Sequence, residues 1–238
     1  MAAINKALKD NIRSAGIIKT NFYNYFHIVF SAPPQEDFIG STSILLPYFE
    51  ELKKHILSND YSSALRILKQ YKQYEDKTED KDDVIDFLQD IFNELFITEA
   101  YRIPASASEY MPSAKIKSTE NEKVRDIYEI NAFNTPENNL PADHISSEMS
   151  YMQQLNALLV KVCDENDDEK IGNILQEQFN FLQAHIITWI DEFVTFLKEQ
   201  ISNPEANPYY AFAVIMDEFI KYDRNLTEEF LQLFKNSE

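Results

Sequence analysis

The sequence is poor in glycine, and that scarcity argues against folds that bind nucleotides through glycine-rich loops. Only three of its 238 residues are glycine. Neither GxGxxG nor GxxxxGK followed by serine or threonine occurs, the motifs whose glycines let the backbone approach a phosphate group. Because glycine is scarce and runs of β-branched residues are few, the composition favours a helical protein.

Residues with reactive side chains are scarce as well. The single cysteine, Cys163, can form neither an intramolecular disulfide nor a thiolate zinc cluster. It lies in the acidic stretch CDENDDEK, where its thiol would be harder to ionise. The GxSxG motif of serine hydrolases does not occur. These features offer no positive sign of catalysis, so we expect neither enzyme activity nor a cofactor.

Basic residues are outnumbered almost two to one. The chain has 22 Lys and Arg against 40 Asp and Glu, which gives a net charge of −18. Such a surface repels nucleic acid and anionic lipid, so we expect neither as a partner. It would attract a cationic partner, although an acidic surface that serves only solubility is the alternative.

Long apolar runs are missing too. No run is long enough to span a bilayer, and the N-terminal stretch MAAINKALKDNIRSAG lacks the apolar core of a signal peptide. We therefore expect a cytoplasmic protein without stable membrane insertion.

What the chain does contain is apolar residues at helical spacing, and no segment reads clearly as a strand. The predicted helices cover residues 4–30, 43–57, 61–74, 84–101, 119–132, 145–162, 169–200, 208–222 and 226–235. We expect an all-α bundle of roughly ten helices, formed by a single domain over residues 1–238. It is either one body or two lobes, 1–101 and 119–238, hinged at 102–118, where prolines and small polar residues interrupt the pattern.

The stretch LPADHISSE contains the most informative polar residues. Pro141 ends the preceding segment, and Asp143 is predicted to be the N-cap of the next helix, a role that stabilises a helix by about 1 kcal/mol. His144 would then project from the first turn. His144 and Glu148 are four residues apart, and His185 lies on another helix, so a helical metal-binding protein or enzyme is one alternative. Four histidines are too few for a hemerythrin site, and paired Glu-x-x-His motifs are missing, so we expect no metal.

The same stretch resembles a family motif. The pattern P-x-D-H followed by E-x-x-F-M-x-x-L reads here as Pro141, Asp143, His144, Glu148, Tyr151, Met152 and Leu155. Upstream, SEYMP contains Ser108 and Tyr110, which match a Ser-x-Tyr loop, and downstream His185 and Trp189 match a His-x-x-x-Trp helix. In these features the chain resembles the TorD/DmsD/NarJ family of redox-enzyme maturation chaperones.

The resemblance implies a TorD-like fold and a cytoplasmic chaperone. Its partner would be an apo-molybdenum-cofactor oxidoreductase catalytic subunit, or the twin-arginine signal peptide of that subunit, held until cofactor insertion and folding are complete. A client without a twin-arginine signal is the alternative, and the protein could be a monomer or a dimer. By the same resemblance, the client peptide would bind at Pro141, Asp143, His144, Glu148, Ser108 and Tyr110. We expect an apolar groove edged by carboxylates that pair with arginine.

Overall fold

The structure is a computed structural model that describes residues 5–99, 102–110, 117–133 and 140–236. In these ranges the chain forms helices and no strand, which confirms the predicted all-α class. The α-helices are α1 (Lys6–Ser31), α2 (Ser41–Leu52), α3 (Asn59–Lys77), α4 (Lys81–Phe92), α5 (Lys117–Ile130), α6 (Ile145–Glu165), α7 (Asp168–Phe181), α8 (Ile190–Gln200) and α9 (Pro208–Lys235). Within these ranges no helix has both the length and the apolarity needed to cross a membrane.

Several helix boundaries differ from the prediction: α2 ends at Leu52, and the helix expected over 84–101 ends as α4 at Phe92, followed by a π-helical turn, Asn93–Ile97. The single helix expected over 169–200 is divided by a π-helical turn, Leu182–Ile186, and resumes after Trp189. Conversely, the two helices expected at 208–222 and 226–235 are one continuous α9. That helix continues because Asp223, a poor helix former, is fully buried and bound by side chains of α1, so a tertiary contact overrides the local signal. The division into two lobes stays a prediction.

Helices α1 and α6 form the centre of the fold and pack along most of their length. Gly16 lets them approach, because a Cβ at that position would lie only 2.9 Å from Val160 Cγ2. The surrounding core is rich in aromatic rings: Phe22 stacks on Phe49 with centroids 5.1 Å apart and meets Phe219 of α9 edge-on at 4.9 Å.

A buried ion pair joins α1 to α9. Lys19 pairs with Asp223 and also donates to Thr227 Oγ1 at 3.0 Å, although both charged residues are almost completely shielded from solvent. The second oxygen of Asp223 accepts from the Tyr23 hydroxyl at 2.6 Å. Every polar group of the cluster thus has a partner, which is the condition under which a buried pair is tolerated.

Removing one member of this pair should be costly. We expect Lys19→Met to lower the free energy of unfolding by about 3–5 kcal/mol, because it leaves the Asp223 carboxylate buried without its cation. Adding Asp223→Asn to that variant should recover part of the loss. Urea unfolding followed by circular dichroism measures all three proteins.

The matched control is an exposed pair between α1 and α6. Arg13 and Asp164 lie 2.6 Å apart with side chains 41% and 55% exposed, so solvent screens the pair and Arg13→Met should cost far less stability than Lys19→Met. If Lys19→Met costs no more than Arg13→Met, the buried pair does not stabilise the α1–α9 contact.

Candidate functional site

A cavity of about 540 Å³ lies where four segments meet: the end of α1, the end of α4, the loop 102–109 and the segment 140–144. Its walls are mainly apolar and include Phe30, Phe92, Phe96 and Ile103. Three of the predicted site residues line it: Ser108, Pro141 and His144. The cavity therefore brings together two motifs that are more than thirty residues apart in the sequence.

Backbone hydrogen bonds hold these two motifs in register. Ser106 and His144 form an isolated antiparallel bridge, the one β-type pairing in the described ranges. The Ile145 N–H donates to the Ala105 carbonyl at 2.8 Å, and the Ala107 N–H donates to the Asp143 carbonyl at 2.9 Å. The loop is thus attached directly to the start of α6.

Asp143 is not the N-cap of α6, contrary to the prediction. Its carboxylate is fully buried and accepts the Ser108 backbone N–H at 2.9 Å and the Asn121 side-chain amide at 2.8 Å. Those bonds tie α6 to the loop and to α5. Because both oxygens already accept hydrogen bonds and neither reaches solvent, Asp143 positions the site and does not present its charge to a ligand.

His144 is the N-cap instead. Its Nδ1 accepts the Ser146 backbone N–H at 3.2 Å, which requires the ring proton to be on Nε2 in the neutral imidazole. Burial lowers the pKa of His144 to about 4. The negative charge of Asp143 acts in the opposite direction, and Arg102 and His27 lower the pKa by smaller amounts. At neutral pH the ring is therefore an uncharged side chain whose Nε2–H has no partner in the described residues.

His27 supports this arrangement, and the sequence patterns did not single it out. Its Nδ1 lies 2.8 Å from Ser146 Oγ and 3.0 Å from the Ser146 carbonyl, and the Ser146 hydroxyl lies 3.1 Å from the His27 carbonyl. These contacts fasten α1 to the first turn of α6. No sequence signal could have found them, because the two residues are far apart in the chain.

Tyr110 does not line the cavity. Its hydroxyl donates to the Pro104 carbonyl at 2.6 Å, and its ring stacks on Trp189 at 5.5 Å. With Phe196 it lines a separate groove of about 310 Å³ on the surface of α8. That groove is flanked by Glu192 and Glu199, which form no ion pair in the described part of the chain.

Glu148 is fully buried and does not line the cavity. Neither of its oxygens has a hydrogen-bond partner among the described residues. Burial raises the pKa of Glu148 well above its usual range, and the charge of Asp143 raises it further. The indole of Trp189 opposes that rise but makes no hydrogen bond of normal geometry, so the carboxyl group is kept neutral in the interior.

His185 is partly buried and belongs to a different cluster from His144. Its Nδ1 pairs with Glu120 at 2.9 Å, and its ring packs on Phe181 with centroids 5.1 Å apart. The described residues hold no group of three or more His, Cys, Asp or Glu side chains that could bind a metal ion.

A family model matches the segment of the chain that contains the two motifs of this site. Residues 56–195 match the model of the family described as nitrate reductase delta subunit. The match covers more than half of the chain and includes all six predicted site residues, the cavity loop and the π-helical turns. No curated protein matches the chain, and no solved structure does.

The buried carboxyl of Glu148 leads to a test by pH. Because its pKa is raised in the fold, the folded protein binds a proton at Glu148 more tightly than the unfolded chain does. The stability that results is fully present below the ordinary pKa of glutamate and is lost as pH rises through the raised pKa of the folded state. Glu148→Gln removes this loss. The stability of the variant relative to the natural protein should therefore increase as pH rises from 5 to 8, by at most about 1.4 kcal/mol per pH unit.

Thermal and urea unfolding across this pH range provide the measurement. Glu229→Gln on the exposed face of α9 is the control, and its difference from the natural protein should not show this trend. A difference between Glu148→Gln and the natural protein that does not change with pH would show that Glu148 is charged in the fold.

Proposed function

This chain belongs to the nitrate reductase delta subunit family, a family of molybdoenzyme maturation chaperones, and on that premise we propose that it binds a terminal segment of its client at the cavity beside His144. The client is an apo-molybdenum-cofactor oxidoreductase catalytic subunit, held in the cytoplasm until its cofactor is inserted. In this role the protein catalyses no reaction. Binding a segment of the client keeps that subunit from folding prematurely or being exported without its cofactor.

The observation that carries this proposal is the bridge between Ser106 and His144. This bridge joins the two motif loops beside the cavity, whose walls are mainly apolar with a small number of polar groups. Sites that bind apolar side chains in a defined orientation have this composition. The neutral Nε2–H of His144 is a hydrogen-bond donor without a partner in the described residues. It is suited to a peptide carbonyl or another acceptor of the client.

A twin-arginine signal would need carboxylates, and the geometry suggests where they are. Asp143 and Glu148 are fully buried, so neither can meet a guanidinium group in this conformation. Glu192 and Glu199 flank the groove that Tyr110 and Phe196 line. A guanidinium group there would pair with carboxylate and stack on aromatic rings.

We therefore propose that the arginines of such a signal would lie on α8, with the apolar part of the peptide in the cavity. A client without a twin-arginine signal would use the cavity alone. The two modes are separated by measuring the affinity of peptides with and without their arginines. Each peptide is titrated against the natural protein and against a Glu192→Gln/Glu199→Gln variant. The remaining alternative, a metal-binding protein or enzyme, is tested by metal analysis of the purified protein.

Variants of His144 separate its capping role from binding. Asparagine is a good N-cap, so His144→Asn should keep the stability of α6, whereas His144→Ala should lower it by roughly 0.5–2 kcal/mol. Alanine removes the Nε2–H donor, and asparagine moves its donor, because its shorter amide places Nδ2–H2 near the position of the ring Cδ2 instead of Nε2. We expect each variant to weaken client binding by about 1 kcal/mol, roughly fivefold. Calorimetric titration with the N-terminal peptide of a molybdoenzyme catalytic subunit from the same cell measures affinity, and thermal unfolding measures stability.

If His144→Asn binds the client peptide as tightly as the natural protein, His144 is only a helix cap. Trp189, the single tryptophan of the chain, is buried behind Tyr110 and reports by its fluorescence that each variant keeps the native packing.

A further inference from the structure

A cationic side chain lines the cavity, although the protein as a whole is strongly acidic. Among the described lining residues Arg102 is the one cationic side chain. It is exposed, and its guanidinium group forms neither an ion pair nor a hydrogen bond with the part of the chain that the structure describes. Glu109, the one acidic residue that lines the cavity, already interacts with another residue.

His144 supplies a second donor close to the first. The charge of Arg102 lowers the pKa of His144, as expected if the two side chains are near each other. Because His144 Nδ1 is occupied by the Ser146 N–H, the ring can offer only its Nε2–H to a bound molecule. The carboxylate of Asp143 accepts hydrogen bonds from Ser108 and Asn121 and forms no ion pair with Arg102.

We infer that Arg102 and the Nε2–H of His144 together bind a carboxylate group of the client, so that the cavity selects an acidic residue flanked by apolar ones. The inference rests on the proposed function and adds the chemistry of the bound segment. A guanidinium group binds a carboxylate through paired hydrogen bonds, and the aromatic walls of the cavity, such as Phe30 and Phe96, receive the neighbouring apolar side chains.

The overall charge of −18 does not oppose this local preference strongly. At physiological ionic strength, charges are screened over about 8 Å, so distant surface carboxylates contribute little at the cavity. The first turn of α6 begins at His144, and the positive end of a helix dipole favours a nearby anion. The groove on α8 and the cavity thus differ in the ligand that we expect each to prefer, a cation beside Glu192 and Glu199 and an anion beside Arg102.

Labelled peptides that differ at one residue test this inference. The probes are Phe-Leu-Asp-Leu-Phe and the same peptide with Asn or Lys at its centre, blocked at both ends, with binding measured by fluorescence anisotropy. The natural protein should bind the Asp peptide at least about tenfold more tightly than the Asn peptide, because paired hydrogen bonds between a guanidinium group and a carboxylate are stronger than hydrogen bonds to a neutral amide. Arg102→Gln should remove this preference, and Arg102→Glu should transfer it to the Lys peptide.

The control is Arg66→Gln, which makes the same charge change on the exposed face of α3, and it should leave the preference intact. Equal affinity for the Asp and Asn peptides, a preference that survives Arg102→Gln, or no binding of any of the three would overturn the inference. The proposed function is decided separately by the titration with the client peptide. It fails if the client does not bind, or if its binding is indifferent to His144→Asn.

Discussion

The carboxylate of Asp143 holds the candidate site together. It is buried and has no cationic partner among the described residues, yet two donors from different parts of the chain, the Ser108 backbone N–H and the Asn121 amide, satisfy it. An ionised carboxylate is stabilised in the interior only when it accepts such bonds. The loop, α5 and the start of α6 are therefore bound to one another through a single side chain, and the Ser106–His144 bridge and the cavity follow from that arrangement.

The same arrangement gives His144 two roles at once. Its Nδ1 caps α6, and this bond determines which nitrogen keeps the proton. The donor that we propose for client binding is thus a consequence of helix capping, and burial keeps the ring uncharged at neutral pH. A neutral donor is selective for acceptors, since it neither attracts nor repels a distant charge.

Acidic groups are distributed in a way that the net charge alone does not reveal. Two carboxyl groups of the motif, those of Asp143 and Glu148, are inside the protein, and one of them is kept neutral by burial. Beside Tyr110, Glu192 and Glu199 of α8 are carboxylates that form no ion pair with the described residues. Arg102 lines the cavity itself, so we expect an arginine-bearing segment and an acidic segment to bind at different places.

The sequence by itself determined the all-α class, the approximate position of most helices and the two motifs that meet at the cavity, because helical periodicity, prolines and motif residues are local properties of the chain. The tertiary structure decided what depends on distant residues. It decided that α9 continues through Asp223, whose partner Lys19 is on the first helix. It also decided that His144 caps α6, because Ser108 and Asn121 compete for Asp143 and leave it unable to do so. Arg102 carries no motif, and it became a candidate only through its position at the cavity, which folding creates from four separate segments.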